Sequence, residues 1–145
     1  MSGRSIAFVV IGDPAPQGSK RFVGKGVMVE SSKRVKPWRE AVAGAAYEAR
    51  AGQAPACGLA PLDGPLLLRV TFWLPQPTSL SKRKAALGPF RKPDLSKLIR
   101  STEDALTTAG VIADDARIVR LDAEKRFTPM SGHTGAKITV EEIGS

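Results

Sequence analysis

The sequence predicts an α/β (α+β) domain, a mixed β-sheet of about four strands with two helices. Three observations predict it. Two apolar runs, 6–11 and 66–74, run into prolines and read as strands. Two stretches, 37–51 and 95–108, carry apolar residues at helical spacing. Beyond them, 116–127 and 136–143 return to strand-like patterns. At 145 residues the chain is a single domain, long enough for one two-layer core.

The first strand, 6–11, is continuously apolar and is expected to be buried on both faces. Gly12-Asp13-Pro14-Ala15-Pro16 stops it. Residues 17–25 are polar and basic; Gly24-Lys25-Gly26 reads as a tight turn and Val27-Met28-Val29 as a returning strand, so a small hairpin is expected. Lys20, Arg21, Lys25, Lys33, Arg34 and Lys36 make this arm a candidate phosphate-contact surface, although any one of these lysines serves equally well as a solvated side chain. Pro37 suits the first turn of the helix over 37–51. Its apolar side is Trp38, Ala41, Val42, Ala45 and Ala46, with Trp38 as a core anchor. Residues 52–64 form a Pro/Gly/Ala linker. After the strand 66–74 comes a basic loop, 78–90, with Lys82, Arg83 and Lys84.

Residues 92–115 organise the chain. Leu95, Leu98, Ile99, Thr102, Ala105, Leu106 and Ala109 make the buried stripe of the second helix. Asp94, Lys97, Arg100, Ser101 and Asp104 crowd into the opposite sector at about 100° per residue. Gly110 stands where a helix end wants a left-handed residue. Asp114 and Asp115 follow. Folding the chain back after the helix brings this acid pair toward Asp94 if packing allows.

The formal charge is +8, with 22 Lys and Arg against 14 Asp and Glu. The excess is local: between Lys82 and Arg100 the only acid is Asp94. A basic patch beside carboxylates suits a polyanion held by its phosphates. The single cysteine, Cys57, excludes an intrachain disulfide and a zinc site built on cysteine pairs. The single histidine, His133, lies in a Ser-Gly-His-Thr-Gly loop and argues against a Ser-His-Asp triad or a histidine-based nuclease. No apolar run is long enough to span a membrane, and residues 1–4 lack the features of a signal peptide, so a cytoplasmic location is expected.

Pro93, Asp94, Leu95, Leu98, Arg100, Asp104, Ala105 and Leu106, then a short turn, then Asp114 and Asp115, form a pattern that resembles the RusA-type Holliday-junction resolvases. The opening IGDPAPQGSKR, 11–21, is similar to that family's first strand followed by Gly-x-Pro and basic residues. Residues 65–74 are similar to its central strand, so the resemblance spans nearly the whole chain. It implies a RusA-like fold and a small, magnesium-dependent endonuclease of bacteria or their phages. It also implies a homodimer, because a four-way junction needs two symmetric cuts. Two positions depart from the pattern. The family's second acid, two residues after the first, is here Ser96, and its helix lysine is Arg100.

The resemblance and the chemistry of phosphodiester hydrolysis together give a candidate site. Magnesium, or manganese in its place, prefers oxygen ligands and needs only a few carboxylates. Asp94 and Asp115 are the first candidate ligands. Asp114 comes next, because neighbouring side chains on a strand point to opposite faces. This reading requires Asp94 and Asp115 to approach one another. Arg100 or Lys97 is placed to stabilise charge at the scissile phosphate. Ser96 is placed to hold a water, and Asp104 to support the site or to pair with Arg100 at i, i+4. Lys20, Arg21, Lys25, Lys33, Lys82, Arg83, Lys84, Arg91, Lys92 and Lys125 are the candidate DNA contacts. Taken singly, Asp94 reads as a helix cap. The competing function is a dimeric branched-DNA-binding protein without catalysis. An RNA-binding module is disfavoured, because no strand carries the aromatic motif for base stacking.

Overall fold

A computed structural model of the chain describes residues 4–17, 20–22, 28–30, 33–53, 60–129 and 132–144. The strands are β1 (Ser5–Ile11), β2 (Lys20–Phe22), β3 (Met28–Glu30), β4 (Leu66–Leu74), β5 (Ile118–Phe127) and β6 (Gly135–Glu142). The helices are α1 (Val35–Gln53), α2 (Lys82–Ala85) and α3 (Leu95–Thr108). Four strands form one mixed sheet in the order β1-β6-β4-β5. β6 runs antiparallel to both β1 and β4, whereas β5 runs parallel to β4. A parallel neighbour needs a crossover, and the segment carrying α2 and α3 supplies it. β2 and β3 pair antiparallel as the expected small hairpin, whose turn lies outside the described residues.

The fold class matches the sequence reading, with a third, short helix inside the basic loop. Ser81 starts α2 by accepting a hydrogen bond from the Lys84 amide at 3.2 Å. α3 and β4 have the expected bounds, and α1 extends two residues further at each end than expected.

The hydrophobic core joins one face of the sheet to α1 and α3. Phe8 and Val10 of β1, Leu68, Val70 and Phe72 of β4, and Ile138 and Val140 of β6 are all buried in it. α1 contributes Trp38, Val42 and Ala46, and α3 contributes Leu98, Ile99, Ala105 and Leu106. Trp38 is the anchor, its ring centroid 6.4 Å from that of Phe72. β1 corrects an expectation. It alternates exposed and buried residues, with Val9 60% and Ile11 67% exposed. Its run of apolar residues would suit two covered faces, but the helices cover only one. β5 is an edge strand, and both Val119 and Leu121 remain exposed.

α3 is pinned by polar contacts that its sequence pattern conceals. Ser101 is fully buried, not on the solvent face with Asp94 and Asp104. Its hydroxyl oxygen lies 2.7 Å from the Ala15 carbonyl and 3.0 Å from that of Leu98, so it donates into the interior. Beside it, the Trp38 indole donates to Thr102 Oγ1 at 3.4 Å. The helix ends as expected at Gly110, with φ of 74°. The Val111 amide donates to Leu106 O and the Gly110 amide to Thr107 O, both at 3.0 Å, which closes the last turn as a Schellman motif.

Candidate active site

At the N-terminal end of α3, Asp94 occupies the cap position with extended backbone, φ −68° and ψ 133°. Its side chain makes no capping hydrogen bond. The carboxylate lies instead 3.7 Å from Lys97 Nζ, and both side chains are about half exposed. Its oxygens are therefore not consumed by the helix backbone, which is the role its position alone suggests.

The approach to Asp94 is held from below by Lys125. This residue pairs with Phe72 across the β4–β5 ladder, on the face that carries the helices. Its ammonium donates to Arg91 O at 2.8 Å and to Pro93 O at 2.9 Å. The sequence placed Lys125 among the phosphate contacts. In the structure it ties the segment leading into Asp94 to the sheet, with two of its three donors engaged.

Other predicted cations gather near the same end. Arg34, Lys84, Arg91 and Lys92 line one cavity, together with Pro93. Lys33, Lys82 and Arg83 are exposed. Lys20 and Arg21 fall on β2, and Lys25 lies outside the described residues. Ser96 is exposed in the first turn of α3, and Arg100 is exposed farther along the helix.

The other acids gather at the C-terminal end of α3. Asp115 opens a 3₁₀ turn, Asp115–Arg117, and accepts a hydrogen bond from the Thr107 hydroxyl. Glu103 and Asp104 face it. Partial burial, then the charges of Asp115 and Asp104, push the Glu103 carboxyl up from 4.5 to about 7, with Arg100 pulling the other way. Burial, and then the charge and hydrogen bonding of Asp115, also raise the Asp104 carboxyl, against Arg39 and Arg100. The ion-pair partner of Asp104 is Arg39 of α1, with Nη1 3.9 Å from Oδ2. Arg100, the expected partner, contributes only its longer-range charge. Asp114 caps the 3₁₀ turn, accepting from the Ala116 amide at 3.3 Å, and is exposed.

These two ends do not meet. Asp94 and Asp104 are separated by a helical rise of about 15 Å, and Asp94 and Thr107 by about 20 Å. Asp115 sits beside Asp104 and Thr107, so one cation cannot touch both Asp94 and Asp115 within a chain. The expected approach of the two acids is corrected on this point. The Schellman turn does reverse the chain, but it delivers Asp115 to the last turns of α3. Among the described residues, no group of three or more acid, imidazole or thiol side chains is placed to hold a metal ion.

Sequence reasoning missed Glu103 and Lys125's tethering role. The signal for Glu103 was its place beside Asp104, about two turns before the glycine that sends the chain back. Lys125 had no such signal, because parallel pairing across a crossover does not show in a linear pattern.

Residues 12–141 match the family model for Endodeoxyribonuclease RusA. No curated protein matches the chain at a significant level.

Proposed function

Because the chain belongs to the RusA endodeoxyribonuclease family, we propose that it is a magnesium-dependent, structure-specific nuclease that cuts four-way junctions or other branched DNA in recombination and repair. It acts as a homodimer in the cytoplasm of a bacterial cell, encoded by the bacterium or by a phage or prophage. The observation that carries this reading is the state of Asp94: a cap-position carboxylate that does not cap, half exposed, beside Lys97 and a cation-lined cavity.

The separation of the acids supports the dimer. The C-terminal end of α3 concentrates Glu103, Asp104 and Asp115 where the helix dipole is already negative. The N-terminal end is rich in cations and holds Asp94. Two-fold pairing that lays α3 antiparallel against its mate joins unlike ends, which is electrostatically complementary. It also sets Asp94 of the partner subunit against Asp115. A magnesium ion would then be held by Asp94 of one protomer and Asp115 of the other, with Asp114 or Glu103 as further oxygen donors. Such an all-oxygen set suits magnesium, and manganese is its replacement. The chemistry magnesium supplies when bound is acidification of water and neutralisation of charge on the phosphate. Lys97 and Arg100 provide positive charge along the same helix for the phosphate as it gains charge. Lys33, Lys82, Arg83, Lys84, Arg91 and Lys92 hold the backbone on either side. Ser96 gives a hydroxyl where the family has an acid, so fewer charges hold the cation.

The test is a nicking assay on a synthetic four-way junction with magnesium, with manganese and with EDTA. Cleavage with either metal and none with EDTA is expected, and Asp115→Asn should bind the junction without cutting it. Junction binding without cleavage in either metal would instead identify a non-catalytic branched-DNA-binding protein.

A further inference from the structure

The cavity next to Asp94 has an apolar part to which the proposed cleavage chemistry gives no role. Its volume is about 500 Å³, inside the usual range for small-molecule sites. It lies between the ends of β4 and β5 and the loop that carries α2. Its lining joins two kinds of side chain. Leu74, Leu80, Phe90, Phe127 and five prolines give flat apolar surface, whereas Arg34, Lys84, Arg91 and Lys92 give positive charge. No acid lines it. Of its lining residues, Leu74 is buried and Phe90 is 62% exposed. The Arg91 guanidinium carbon lies 5.8 Å from the Phe90 ring centroid, so a cation already covers part of that ring.

An apolar slot with aromatic walls and several cations is complementary to a flat base attached to a phosphate. We infer that this cavity takes one unstacked nucleotide of branched DNA, next to the strand whose phosphate lies at Asp94. The inference rests on the branched-DNA function proposed above and adds the specificity element to it. The volume admits one nucleotide and not a duplex, so occupation requires a base that has left the stack. Bases at an opened crossover lack a stacked neighbour on one side and so leave at lower cost than bases inside a linear duplex. The cavity thereby favours branch points through base stacking, and sequence preference enters through which base fits. A short acidic peptide would satisfy the cations but leave the aromatic walls without a flat partner.

The probe is a four-way junction with 2-aminopurine placed in turn at each nucleotide flanking the crossover. Binding of the wild-type protein is expected to raise the fluorescence at one position. Phe90→Ala should abolish that rise and weaken junction binding about tenfold, the scale of one lost base–aromatic stack, without changing binding to linear duplex. Ser79→Trp, which fills the cavity from its rim, should do the same, so the result does not depend on one variant. An abasic nucleotide at the responding position should weaken wild-type binding equally and add nothing further to Phe90→Ala. Circular dichroism checks that both variants fold. If the wild-type protein binds and cuts the junction while every 2-aminopurine position stays silent and the abasic junctions bind normally, the cavity assignment is overturned and the nuclease reading stands. If binding to the linear duplex falls as much as binding to the junction, the assignment is likewise overturned. If the protein neither binds nor cuts branched DNA, both readings fall together.

Discussion

Lys125 shows how much a single residue decides here. Its ammonium makes two hydrogen bonds to main-chain carbonyls that lead into Asp94. A phosphate contact and an internal tether predict different mutant behaviour. Removing a phosphate contact weakens DNA binding and lowers its salt dependence by about one charge. Removing the tether leaves binding nearly intact but misplaces Asp94. We expect Lys125→Met to lower the cleavage rate about ten- to a hundredfold, with junction affinity and its salt slope unchanged; single-turnover kinetics alongside salt titrations check this. Glu103 gives a second prediction. Its carboxyl titrates near 7 in the folded chain against 4.5 ordinarily, so the folded state binds its proton more tightly than the unfolded state does. The stabilisation is complete below about pH 4.5, declines as the pH rises through 7, and is absent above that. In EDTA, the urea midpoint of wild type relative to Glu103→Gln should therefore fall between pH 4.5 and about 7.5. Ser101 marks the limit of reading residues in line. Helical spacing put it on the solvent face, yet the loop at Ala15 covers it, and no local pattern announces a distant loop.

Among the elements, those with strong periodicity were legible from the sequence. α3 has its predicted bounds because an amphipathic stripe, an acid at the cap position and Gly110 all agree. β4 was equally clear, enclosed between Pro65 and Pro75. Burial was harder to read than element type. The apolar run of β1 gives no hint that helices cover only one of its faces, since the missing layer is a property of the whole sheet. α2 was hidden because four residues are too few for a period to show. β6 starts at Gly135, with φ of 155°, where an added Cβ would lie 1.9 Å from the Val10 carbonyl oxygen. That neighbour is backbone within the β1–β6 ladder and cannot move aside. Gly135→Ala should thus cost about 3 kcal/mol, read from equilibrium denaturation, and should loosen β1 first in amide hydrogen exchange.

At the scale of the molecule, the candidate acids were legible as residue types but not as a constellation. Sequence gives their order along the chain, while the length of α3 sets their distance, and that distance separates them. A composite site makes a prediction that a site within one chain cannot satisfy. Asp94→Asn and Asp115→Asn should each be inactive alone. Mixed and allowed to exchange subunits, they should recover nicking, because one of the two sites in each mixed dimer keeps both aspartates. A site contained in one chain would recover nothing, so a junction-nicking time course on the mixture separates the two arrangements.

α3 is also the longest element of the crossover between two strands that lie side by side, and so behaves as a strut within it. A strut of hydrogen-bonded backbone neither stretches nor folds, so its span acts as a gauge. Inserting one full turn, four residues, would lengthen that gauge by about 6 Å while keeping the same face inward. Any stagger between paired incisions set by this gauge would shift with it, as surely as moving the pins of a compass changes the circle it draws.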